Sequence, residues 1–142
     1  MHPKPGKFYV TRQIEFSAAH RLYRHELSEE RNRALFGACA NPYGHGHNYS
    51  LEATFEGDLQ PETKMVVHFA SLKTLLHETV VAPLDHRHLN HDVAFLNDQL
   101  PTSENLVRTL WERIEVACAG QPWKLFRLKL MSSNRNWVEF YG

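Results

Sequence analysis

Apolar and polar residues alternate from Phe8 to His20. Phe8, Val10, Ile14, Phe16 and Ala18 share one face, and Tyr9, Thr11, Gln13 and Glu15 share the other. A period of two predicts a strand with one buried face, and His20 continues the buried parity. A second alternating run covers His47 to Gly57. In it Tyr49, Leu51, Ala53 and Phe55 share the parity of His45 and His47. Phe126, Leu128 and Leu130 alternate with Arg127 and Lys129, and Trp137 to Tyr141 returns after the polar turn Ser133-Asn134-Arg135-Asn136. Met65 to Phe69 reads as one more short strand, interrupted by His68.

The helical stretches have different signatures. Ser28, followed by Glu29 and Glu30, caps a short helix that Gly37 ends. Ser71 to Val81 places Leu72, Leu75, Leu76 and Val80 on one stripe, with Pro83 as its stop. Thr102 or Ser103 opens a longer helix to about Cys118, with Leu106, Val107, Leu110, Trp111 and Ile114 inward and Gly120 behind it. Leu84 to Asn90 is a polar loop. The expected class is α+β: an antiparallel four-stranded sheet with two longer helices on one face. A chain of 142 residues suits one domain, 8–142, behind a short disordered lead-in, 1–7. Exposed edges of so small a sheet invite pairing into an oligomer.

Composition narrows the partners. Lys plus Arg (16) equals Asp plus Glu (16), which gives no electrostatic reason to expect nucleic acid or a membrane surface. No apolar run reaches the length of a membrane span, and Met1 to Gly6 lacks the hydrophobic region of a signal peptide, so a cytoplasmic protein is expected. In that compartment Cys39 and Cys118 are expected to stay unpaired. Cys118 falls in an apolar helical run, and Cys39 in a polar loop.

The chemistry concentrates in Cys39-Ala40-Asn41-Pro42-Tyr43-Gly44-His45-Gly46-His47-Asn48-Tyr49. Histidines two apart in an extended segment face the same way, so His45 and His47 can address one ion; polar turn histidines are the plainer alternative. If the first two strands pair antiparallel, the end of one lies beside the start of the other. His20 then joins His45 and His47, otherwise being a hydrogen-bonded core residue. Three histidines with an open position suit catalytic zinc acting as a Lewis acid. Cys39 beside such a dication gains thiolate character, while a closed site of three histidines and Cys39 would be structural. Asp85 and His86 add an acid and a base. An Asp that orients a His beside a Cys is the logic of an activated thiol, and these chain neighbours need a bend to act together.

These residues resemble a known family. Phe16-Ser17-Ala18-Ala19-His20-Arg21-Leu22, the Cys39 to Tyr49 block, Pro83-Leu84-Asp85-His86 and Thr102-Ser103-Glu104-Asn105 occur in the order of the 6-pyruvoyl-tetrahydropterin synthase and 6-carboxy-tetrahydropterin synthase family. The resemblance implies the tunnelling fold, with trimers pairing into a homohexamer. It implies zinc on His20, His45 and His47, and Cys39 as the proton-abstracting base with Asp85 and His86 as its partners. Thr102, Ser103 and Glu104 match the family's pterin-contacting region. The implied substrate is 7,8-dihydroneopterin triphosphate, which loses triphosphate to give 6-pyruvoyl-tetrahydropterin or, after carbon–carbon cleavage, 6-carboxy-tetrahydropterin.

The sequence departs from the family twice. Where the family has a pterin-gripping glutamate at the end of the penultimate strand, this chain has Ser132. A hydroxyl cannot replace two charge-assisted hydrogen bonds, each worth about 1.5–3 kcal/mol. His68 stands where the family often has Asp or Asn. A homologue with altered substrate, or a non-catalytic zinc protein, are therefore the alternatives to the lyase. Arg21 and Arg24 are candidates for the triphosphate, against the commoner role of solvated surface arginines.

Overall fold

A computed structural model describes residues 1–142. Strand β1 (Phe8–His20) and strand β2 (His45–Gly57) pair antiparallel over their whole length, from Phe8 opposite Gly57 to His20 opposite His45. Between them, helix α1 (Glu29–Phe36) is capped by Ser28, whose Oγ accepts the Arg31 N–H at 3.1 Å. Gly37 ends it at φ 60°, a conformation that favours glycine, and a 3₁₀ turn, Gly37–Ala40, leads out.

Helix α2 (Phe69–Leu76) runs through a π turn (His77–Val81) into a last helical turn, α3 (Ala82–Leu84). Leu72, Leu76, Val80 and Leu84 are all fully buried at a spacing of four. An ideal α-helix would rotate such a stripe by about 40° per step. The π turn, where the Ala82 N–H reaches the His77 carbonyl, adds a residue to the ladder and offsets part of that drift. Pro83 lies inside the final turn rather than ending the helix before it.

Strand β3 (Arg87–His88) follows, then a 3₁₀ turn (Ala94–Leu96), helix α4 (Ser103–Ala117) and strands β4 (Trp123–Met131) and β5 (Trp137–Phe140). Thr102 supplies the α4 cap, its hydroxyl accepting the Asn105 N–H at 3.2 Å. The five strands form one sheet in the order β3-β1-β2-β4-β5. A bulge at Phe126 lets Leu125 face Phe55 while Arg127 faces Thr54.

The α+β expectation holds, with two corrections. A fifth strand exists: β3 pairs parallel to β1 at Ala18 and Ala19, inside the segment expected to be a loop. The strand expected at Met65–Phe69 does not form. The segment is turn and bend with no ladder partner: Val66 and Val67 are buried, Met65 is exposed, and Phe69 already opens α2. His68 is the α2 cap: its Nδ1 accepts the Ala70 N–H at 3.1 Å, the task Asp or Asn usually performs.

The core lies between the sheet and the helices. Phe16, Tyr49, Leu51, Ala53, Phe55, Leu128 and Leu130 meet the α2–α3 stripe and Leu106, Val107, Leu110 and Ile114 of α4. Toward the His20–His45 end this buried face runs out of apolar side chains. No helix is long and apolar enough to cross a membrane.

Candidate metal centre and its surroundings

The pairing of β1 with β2 builds the centre. Phe16 faces Tyr49, Ala18 faces His47 and His20 faces His45, so the sheet's inner face passes from aromatic to imidazole within three rows. His20 Nε2 lies 3.0 Å from His45 Nε2 and 3.2 Å from His47 Nε2. One ligand atom from each of the three rings lies within 4.8 Å of the others. A tetrahedral dication with bonds of about 2.0–2.1 Å holds its nitrogens roughly 3.3 Å apart, so the cluster fits a metal ion closely.

The tautomer of His20 is settled by its back contact. Its Nδ1 is 2.8 Å from the Pro101 carbonyl, which only accepts. Nδ1 therefore carries the proton, and Nε2 presents a lone pair to the centre. Burial, opposed in part by that hydrogen bond and assisted by His47 and His45, holds the His20 pKa below the ordinary imidazole value. Burial and then the neighbouring His45 lower that of His47. Neutral rings are the form that binds metal.

Gly44 lets the second strand arrive. A side chain there would place its Cβ 2.6 Å from the His20 carbonyl oxygen, and φ is +73°. The glycine is thus required by both the space and the backbone.

Cys39 sits half-buried in the Gly37–Ala40 turn. It is close enough to Tyr49 for thiolate charge to raise the phenol's pKa, an effect second to burial. The Tyr49 ring packs on His47 with centroids 5.4 Å apart and on Phe16 at 5.0 Å. Tyr49 thus packs directly against the histidine cluster. Cys118 is also a free thiol, buried under the helices, and burial pushes its pKa up to about 11.

Asp85 and His86 lie beyond the outer edge of β1. Asp85 Oδ1 accepts the Ser17 N–H at 2.8 Å, and that bond more than any other contact holds the carboxyl below its usual pKa. The bend needed between these neighbours is present: His86 adopts φ 61° and brings Nδ1 to 3.0 Å from Asp85 Oδ2. The His86 side chain is 82% exposed, and neither residue hydrogen-bonds to Cys39 within the chain.

The α4 N-terminus abuts the centre through Pro101. The Thr102 hydroxyl is occupied by its cap, so Ser103 and Glu104 are the free polar side chains of that turn. Ser132 lies just past β4, in the turn to β5, where its N–H donates to the Asn136 carbonyl at 3.2 Å. Arg21 is engaged inside the protein, by the Ala40 carbonyl and Glu29. Arg24 pairs with exposed Glu26 on the rim of a cavity of about 600 Å³ that also touches His25, His91, Asp98 and Pro101. Reasoning from sequence did not single out Pro101 or Asn90. Neither sits in a motif; their roles come from the chain's three-dimensional return to β1.

A family model for 6-pyruvoyl tetrahydropterin synthase matches residues 9–142. The chain belongs to that family. A relative named 6-pyruvoyl tetrahydrobiopterin synthase, from Pongo abelii, is 42% identical over 134 residues, which are 94% of this chain and 90% of its own. The solved structure of Caenorhabditis elegans 6-pyruvoyl tetrahydropterin synthase superposes with a TM-score of 0.88 at 32% identity, covering 100% of this chain and 99% of its own. A 6-carboxy-5,6,7,8-tetrahydropterin synthase from Haemophilus influenzae is 28% identical over 120 residues, 82% of this chain and 72% of its own. The family resemblance read from the motifs therefore stands, and with it the tunnelling fold and membership among pterin synthases.

Proposed function

We propose that this chain is a zinc-dependent carbon–oxygen lyase that acts on 7,8-dihydroneopterin triphosphate in the cytoplasm. It eliminates triphosphate and yields 6-pyruvoyl-tetrahydropterin. The higher identity to the pyruvoyl-type relative supports this product over the 6-carboxy one. The observation that carries the reading is the convergence of His20, His45 and His47, with the tautomer of His20 set from behind by Pro101.

In this reading the three histidines hold zinc. When bound, it supplies Lewis-acid polarisation of a substrate oxygen. The Cys39 thiolate removes the proton from the adjacent carbon. Asp85 orients His86, and His86 returns a proton to the intermediate. Because the dyad does not meet Cys39 within one chain, the expected homohexamer, a dimer of trimers, brings His86 of one copy to Cys39 of another. Ser103 and Glu104, at the α4 end that abuts His20, face the pterin ring, and Arg24 takes the triphosphate. The test is triphosphate release by zinc-loaded protein. Cys39→Ala is expected to slow it by about 10²–10⁴-fold; equal rates would end the assignment.

A second reading keeps the metal and changes the ring. It is favoured by Ser132, which follows the end of β4 and offers a hydroxyl where the family pattern has a carboxylate. Ser132→Glu is then expected to tighten pterin binding by at least about tenfold, measured by fluorescence titration. No gain would mean that Ser132 does not set the choice of substrate.

A further inference from the structure

The chain just after His20 is held from several sides. Asn90 pairs with the Arg21 backbone as a strand would: its Oδ1 accepts the Arg21 N–H at 2.8 Å and its Nδ2 donates to the Arg21 carbonyl at 2.9 Å. The Arg21 side chain then doubles back over the cysteine turn. Its Nε–H donates to the Ala40 carbonyl at 3.0 Å, one residue beyond Cys39. Its Nη2 donates to both Glu29 oxygens, at 3.0 and 2.8 Å. The guanidinium lies 4.2 Å from the centre of the Tyr23 ring. The Leu22 N–H meanwhile donates to the Cys39 carbonyl at 2.8 Å.

Both carbonyls that flank the Ala40 peptide unit are therefore pinned to the two residues that follow His20. The Arg21 side chain is 12% exposed and Glu29 is 70% exposed, so the pair itself adds little stability. Its effect is geometric. A planar fork serves a carbonyl and a carboxylate together, which the single ammonium of lysine cannot do in the same arrangement.

We infer that Arg21 is a positioning residue for Cys39: by tying the Gly37–Ala40 turn to the end of β1, it sets where the thiol stands relative to the histidine cluster, and Glu29 and Tyr23 lock it in that pose. This rests on the proposed role of Cys39. The test therefore includes a readout that is independent of lyase activity.

The experiment uses full-length zinc-loaded protein in a Cys118→Ser background, so that iodoacetamide reports on Cys39 alone. Arg21→Ala, Arg21→Lys and Glu29→Gln are compared for zinc affinity by chelator competition, for kcat and KM of triphosphate release, and for Cys39 alkylation rate. For Arg21→Ala, kcat is expected to fall about 10–100-fold while KM and zinc affinity stay within about threefold. The alkylation rate is expected to change by more than about threefold, since exposure and orientation of the thiol change together. Arg21→Lys and Glu29→Gln should fall between Arg21→Ala and the unsubstituted chain. Unchanged alkylation and kcat in a folded Arg21→Ala protein would overturn the inference, as would zinc affinity and KM falling in step with kcat. If Arg21→Ala does not fold, Glu29→Gln decides on the same criteria. An altered alkylation rate in a protein whose activity does not need Cys39 would refute the lyase mechanism and leave the positioning role standing.

Discussion

Two groups of residues lie toward one end of this sheet, and they reach it by different means. His20, His45 and His47 arrive on paired strands, so the pleat and the β1–β2 register aim them. Cys39, Asp85 and His86 arrive on turns. Each is aimed by contacts made elsewhere: Arg21 and Leu22 for the cysteine turn, Ser17 for the aspartate. Side chains borne on strands inherit their geometry from a ladder of backbone bonds that no single substitution removes. Those borne on turns depend on a few specific contacts. The contrast implies that the histidine cluster is robust to change around it, and that Cys39 and the Asp85–His86 pair are the part that can be detuned.

The sharpest test of that difference sets one member of each group against the other. Cys39→Ala is expected to abolish most of the rate while leaving zinc affinity unchanged, by isothermal titration. His47→Ala should weaken zinc binding by at least about a hundredfold and keep the fold, as judged by circular dichroism. If Cys39→Ala also loses the metal, the sulfur belongs to the ion and the two groups are one.

Gly44→Ala attacks the strand group through its backbone. A Cβ 2.6 Å from the His20 carbonyl, on a residue at φ +73°, is expected to lower stability by about 1–3 kcal/mol in denaturant unfolding and to weaken zinc binding with it.

Acid should act on the strand group first. Burial holds the folded pKa values of His20 and His47 below the ordinary 6.5, so the unfolded chain binds protons that the folded chain refuses. This contribution is fully present above about pH 6.5 and is lost as pH falls below it, at up to about 1.4 kcal/mol per pH unit for each group. Thermal melts of chelator-treated protein should show the slope, and His20→Gln should flatten it. The Asp85 contribution, from a carboxyl held below its usual value, would appear only near pH 4 and lower. The smallest effect is expected from His68→Asn, which exchanges an imidazole cap on α2 for a more common one and should shift stability by well under about 1 kcal/mol.

The same distinction explains what could be read in advance. Parity alone placed His20, His45 and His47 on one face, and antiparallel pairing of adjacent strands put them at one end. Both are local rules. Strand β3 left no such mark: two residues pair with β1 because the Leu89 N–H reaches the Ala19 carbonyl and the His86 N–H reaches that of Ser17, and no periodicity announces a two-residue strand. The strand expected at Met65–Phe69 failed for the converse reason. Only Val66 and Val67 of it belong to the core, side by side in a bend that delivers the chain to α2, while Met65 and Phe69 are exposed. Arg21 looked like a free cation for phosphate, and only the folded chain shows its fork already occupied.

The π turn at His77–Val81 carries a consequence for how Asp85 meets Ser17. Three residues separate that wider turn from Asp85. Deleting one residue among 77–79 would restore a plain α-helix, and the stripe from Leu72 to Leu84 would then be spaced four, three and four, which an ordinary helix keeps on one face. Leu84 would stay in the core, and the acidic loop would leave the helix at nearly the same angle, drawn back by about one residue's rise of 1.5 Å. The wider turn thus absorbs its extra residue locally. A one-residue deletion there should leave the dyad on β1 and the three imidazoles where they are, whereas the same deletion in the regular part of α2 should turn Leu76 out of the core.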